Sequence, residues 1–290
     1  VTLLFAAVRA LHFLSLMAGF GAAAFLTLLS AHSLGGPPER MIRVLFPAAA
    51  ALAFVTALFW FALVAGNMVG DAGKAFDPTT LKLVASDTEF GRIAVWRVAG
   101  LALFFILCLS PRPERMKWLA ALAGLLLASL GLTSHAAAAA GEFPLLRAGN
   151  DALHLLCAGF WVGGLMVLAG LLGQDRHTPQ NLIAPFRLFS RWGTTAVAML
   201  IASGIVNAAS ILPLKTITPH NAYAEVLAAK IALALFMIGL AVANRLQLVP
   251  ALGIRNGHLT QQLALNVAAE ILLGVAVIAI VGYLGQMAPS

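Results

Sequence analysis

Long apolar runs separated by short polar connections dominate the chain, and none of the runs shows the strict alternation of a half-buried strand. Eight runs are long enough to cross a bilayer, at about 3–30, 42–69, 91–110, 117–139, 148–172, 186–212, 223–248 and 260–285. Proline marks the connections at Pro37-Pro38, Pro111-Arg112-Pro113, Pro179 and Pro219, where a missing donor and a fixed φ are tolerated. The longest connection, Gly70 to Phe90, is polar and partly acidic. The pattern predicts an all-α fold: one polytopic transmembrane bundle of eight helices filling residues 1–290, with no room for a separate soluble domain. Residues 1–30 lack the basic start and cleavage site of a secretory signal and read as a true span.

Composition agrees, with 61% hydrophobic residues, 10% charged residues and a mean hydropathy of +0.94 over 290 residues. The net charge of +7 changes the picture only through its distribution. On one set of alternating connections, with adjoining span ends, lie ten basic residues: Arg40, Arg43, Arg112, Arg115, Lys117, Arg176, Arg187, Arg191, Arg245 and Arg255. The opposite set has five: Lys74, Lys82, Arg92, Arg147 and Lys215. Basic loops stay cytoplasmic, so both termini are expected in the periplasm of a bacterial inner membrane, and the basic balance does not indicate nucleic acid. Arg9, Arg97 and Lys230 depart from this pattern, lying in apolar context near the outer side.

Three histidines carry the candidate chemistry. At 1.5 Å per residue, His12 lies roughly 13 Å, His154 about 9 Å and His135 about 8 Å in from the outer ends of their spans. Neutral imidazole is a ligand for copper or zinc, or an axial ligand for haem iron. A buried hydrogen-bonding histidine is the alternative at each position. Asn150 and Asp151 precede His154 by four and three residues, so either can share its helix face. Asp151 then either fixes one ring nitrogen or caps the helix start. Met17, deeper than His12, and Asn67-Met68 near the outer end of the second span add thioethers suited to Cu(I), or simply pack.

Glu270 is the deepest acid, with Asn266 four residues before it on the same face; it marks either an ion or proton relay or a static network. Gly159 and Gly163 have the small-xxx-small spacing that lets membrane helices approach closely. Cys108 and Cys157 lack CxxC spacing and read as buried free thiols. No Ser-His-Asp, HExxH, Walker A or GxGxxG arrangement stands in its required context, so neither an enzyme nor an ATP-driven pump is indicated.

The stretch Asp151-Ala152-Leu153-His154 through Gly159-Phe160-Trp161-Val162-Gly163-Gly164 resembles the bacterial copper-resistance CopD/PcoD membrane family. Arg187-Leu188-Phe189-Ser190-Arg191, Ser203-Gly204-Ile205-Val206-Asn207, Leu227-Ala228-Ala229-Lys230 and Asn244-Arg245 extend the likeness over about residues 145–285. His12 and Gly131-Leu132-Thr133-Ser134-His135 are consistent with longer members. The resemblance implies an integral inner-membrane protein of copper homeostasis, served by a periplasmic copper-binding chaperone. Together with the histidines it leads to an expected copper site of His12, His154 and His135. Asp151, Asn150, Met17, Asn67, Met68, Asn266 and Glu270 would then serve as supporting or pathway residues, with inward transport slightly preferred. Two other readings stay open: a haem-bearing electron-transfer protein, and a copper sensor or assembly partner that passes no metal.

Overall fold

The computed structural model describes residues 2–37, 39–133, 144–174, 179–211, 222–251 and 257–287. Nine helices of ten residues or more lie in these segments. They are α1 (Thr2–Ala31), α2 (Glu39–Met68), α3 (Pro78–Asp87), α4 (Glu89–Cys108), α5 (Met116–Ala128), α6 (Pro144–Leu172), α7 (Pro179–Ile211), α8 (Ala222–Ala243) and α9 (Gly257–Leu284). All but α3 belong to segments long and apolar enough to cross a membrane, eight in total, and no strand occurs among the described residues.

The polar connection from Gly70 to Phe90 contains α3. Its start is local chemistry: Asp77 accepts from the backbone N–H of Thr80 at 2.8 Å, and Pro78 occupies the first turn, where its missing donor costs nothing. Thr88 caps α4 in the same way through the N–H of Gly91 at 2.8 Å. The hydroxyl and N–H of Thr80 hold the exposed Asp77 carboxyl below the usual carboxylate range.

α1 is the hub, packed against α2, α5, α6 and α9, and 67% of its most apolar window is buried inside the bundle. Along α8 Met237 is the buried residue, so this helix is the least enclosed of the eight. Gly159 and Gly163 do bring two backbones together. A Cβ at Gly163 would stand 2.6 Å from the Cα of Gly21 and 2.7 Å from the carbonyl of Met17, so α1 and α6 meet as they do only because both carry glycine there. Met17 and Phe25 lie in the apolar core around this crossing. Pro144 starts α6 two turns before Asp151, so Asp151 sits inside the helix and does not cap it.

After Ala243, α8 continues through a π-helical turn, Asn244–Leu248, and ends in Val249–Ala251. Such wide turns often re-aim one side chain at a functional position. Here that side chain is Asn244.

Candidate metal-handling site at one end of the bundle

His12 is fully buried and faces α2 and α4. Its Nε2 lies 2.8 Å from Nη2 of Arg97, a group that can only donate. The lone pair of His12 is therefore on Nε2 and the proton on Nδ1. From Nδ1 the ring donates toward the carbonyl of Ala53 and Oγ1 of Thr56, both at 3.1 Å. Thr56 agrees, because its own proton goes to the carbonyl of Leu52 at 2.6 Å and leaves the oxygen to accept. Arg97 also donates to Oγ of Ser129 at 3.0 Å, tying α4 to the end of α5. Trp60 packs edge-on against the imidazole, and a cavity of about 30 Å³ beside it has room for a water. Both nitrogens of His12 are thus engaged, one by a cation.

His154 is half-buried and faces α7. Its Nδ1 is 3.0 Å from Oγ of Ser203. The proton of Ser203 goes to the carbonyl of Met199 at 2.7 Å, so the serine oxygen accepts and Nδ1 of His154 donates. The lone pair is again on Nε2, which has no side-chain hydrogen-bond partner among the described residues, while the carbonyl of Leu200 and the ammonium of Lys230 also act on the ring. Gly204 sits beside the ring, where a Cβ would stand 3.3 Å from Cε1. This is the tautomer and orientation in which a histidine binds a metal, with its far nitrogen anchored by a hydrogen bond.

The anchor is Ser203, where the sequence pointed to Asp151. Asp151 instead acts electrostatically on Arg9 of α1 and Lys230 of α8. Asn150 reaches across to α7, donating to Oδ1 of Asn207 at 2.6 Å and to the carbonyl of Ser203 at 2.9 Å, so it holds the backbone that carries the anchor. Arg9 lies over Phe13 and Trp60, 5.4 and 5.8 Å from their ring centres, and so stands between the two histidine environments.

The other sequence candidates divide. Met17 is in the core, whereas Asn67 and Met68 are exposed at the end of α2. Asn266 donates to Asn244 at 2.8 Å, and Asn244 donates to Oε1 of Glu270 at 2.7 Å, so the two α9 residues are linked through the π-turn of α8. Trp161 completes the group, its Nε1 at 3.3 Å from Oε2 of Glu270. His135 lies outside the described residues. No group of three or more His, Cys, Asp or Glu side chains is placed to hold a metal among the described residues.

Four partners were not singled out as site residues from sequence: Arg97, Thr56, Ser203 and Asn244. Arg97 left a trace as a charge in an apolar run, and Ser203 and Asn244 stood within the stretches that carry the family likeness. Thr56 left none, because a hydroxyl in an apolar helix ordinarily bonds its own preceding turn.

Comparison with known proteins gives two family matches along the chain. Residues 1–145 match the family described as Copper resistance protein D-like, N-terminal domain, and residues 183–284 match Copper resistance protein D. Inner membrane protein YebZ of Escherichia coli (strain K12) is 28% identical over 291 residues, covering 98% of this chain and 97% of the relative. Copper resistance protein D of Pseudomonas syringae pv. tomato is 28% identical over 302 residues, covering 98% and 96%. Copper transport protein CutJ of Bacillus subtilis (strain 168) is 33% identical over 213 residues, which is 69% of this chain and 38% of that longer relative. No solved structure matches the chain. The first match alone extends over half of the sequence and the second over most of the remainder, and the chain belongs to the copper resistance protein D family.

Proposed function

We propose that this protein moves copper across the bacterial inner membrane and is not an enzyme, with loading at His154 on the periplasmic side. The observation that supports this reading is the presented Nε2 of His154, its Nδ1 anchored on Ser203 and Asp151 one turn away on the same helix. Asp151 is the acid that attracts the ion, and Lys230 competes with the ion for it. Arrival of copper displaces the ammonium group and so couples loading to a movement of α8. His135, which precedes α6 in the sequence, is the second ligand. His12 joins the route only in a state where Arg97 withdraws from Nε2. Met17 and Glu270 lie further along the inward path, while Asn67 and Met68 mark its outer rim. A periplasmic copper-binding protein delivers the cargo.

Right-side-out proteoliposomes supplied with external copper, with Cu(I) and Cu(II) imposed separately, test the reading. Accumulation inside that disappears in His154→Ala is the expected result. Copper bound but never transferred under either gradient replaces transport with a static copper-binding role, and loss of binding to wild type removes copper from the assignment.

A further inference from the structure

A crevice further from His154 shares Glu270 with the proposed inward path. It has a volume of about 180 Å³ and runs between α7 and α8, floored by α6 and α9. Among the described residues, Ala222–Ala243 of α8 makes little contact with α7, which leaves the crevice open along that side. Its walls are mostly apolar, with Phe186, Phe189, Val197 and Val242 among them. Its two ends are polar and opposite in character. At the buried end the carboxylate of Glu270 receives N–H groups from Asn244 and Trp161. Two such bonds leave a carboxylate with lone pairs to spare, and no cation pairs with Glu270 among the described residues. At the exposed end Arg245 donates to Thr194, linking α8 to α7 across the mouth.

The combination limits the occupant. An acyl chain would set methylenes against a buried carboxyl group. A bare cation would leave the apolar walls unused. A flat ring with a hydroxyl at one end and an oxygen acceptor at the other satisfies both ends and both walls. We infer that the crevice between α7 and α8 binds a lipid-soluble benzoquinol, its hydroxyl donating to Glu270 and its opposite oxygen accepting from Arg245. The π-turn at Asn244–Leu248 serves this site, because it places Asn244 on the carboxylate and Arg245 at the mouth.

The inference is tested with protein in lipid nanodiscs, titrated with decylubiquinol or decylubiquinone against empty nanodiscs. One saturable equivalent is expected, with the quinol favoured up to about tenfold, the upper value of one ordinary hydrogen bond. In Glu270→Gln the preference is expected to vanish or reverse, because the amide offers an N–H to the quinone carbonyl. Val197→Trp fills the crevice from its wall and is expected to weaken both forms at least about tenfold. Circular dichroism and the thermal midpoint establish that each variant is folded. Uptake no greater than in empty nanodiscs overturns the inference, as do equal affinity for both forms in wild type and wild-type binding in both variants. Disulfide cross-linking of Val242→Cys between two copies in the same disc also overturns it, by giving the crevice to a second chain. None of these outcomes depends on copper, so this site and the His154 site fail or stand separately.

Discussion

His12 and His154 carry the same tautomer on adjoining helices, yet Nε2 is taken up by a guanidinium in one and not in the other. In both, Nδ1 donates to a hydroxyl whose own proton is committed to a carbonyl one turn back. The difference lies at Nε2. In the amino-terminal half, Arg97 fills it and brings a positive charge to the place a cation would occupy. In the carboxy-terminal half, no guanidinium or ammonium group hydrogen-bonds Nε2 of His154 among the described residues; Lys230 of α8 acts on the ring electrostatically, and the nearest carboxylate on the same helix is one turn away. A histidine's depth and tautomer therefore do not make it a ligand. What stands opposite its lone pair does.

The largest expected effect is on copper binding. His154→Ala should weaken it by two orders of magnitude or more, about 2.7 kcal/mol, while His12→Ala changes copper affinity little; isothermal titration of the detergent-solubilised protein checks both. Equal losses in the two variants would break the comparison. His12→Ala should show itself in stability instead, lowering it by about 2–4 kcal/mol, because Arg97 loses an acceptor inside the bundle and a void opens beside Trp60. A thermal midpoint unchanged from wild type would mean that Arg97 finds another partner.

Two further variants sharpen the contrast. Arg97→Met removes the cation without opening a void, and a buried charge replaced by an apolar side chain of similar volume is often tolerated. It should leave the protein folded and add a weak second copper equivalent, dependent on His12. Ser203→Ala leaves His154 without its anchor and should cost about tenfold in copper affinity, as loss of such supporting hydrogen bonds commonly does. The smallest effect lies outside the membrane. Asp77 has its folded pKa depressed by Thr80, so its contribution to α3 is present at neutral pH and is lost as pH falls through that lowered value. Amide exchange at Thr80 should accelerate below the ordinary carboxylate range and in Asp77→Ala at neutral pH, with the bundle unaffected.

The sequence by itself determined the architecture. Runs of about twenty apolar residues leave a backbone in lipid no alternative to helix, so α1, α2 and α4–α9 were all visible as spans. The spacing of Gly159 and Gly163 likewise marked a close contact, though not that α1 would be the partner. Helical spacing also placed Asn150, Asp151 and His154 together, and Asn266 with Glu270. That arithmetic holds along one helix only. It assigned the anchor of His154 to Asp151, whereas the hydroxyl that holds the ring comes from Ser203, 49 positions later. It left His12 a free ligand, because Arg97 is 85 residues away and its approach depends on how α4 turns against α1. It also put no π-turn at Asn244 and no crevice between α7 and α8. Which face of each helix meets which neighbour is decided by side-chain packing across the bundle, and in a chain hydrophobic on nearly every face that choice leaves little periodic signal.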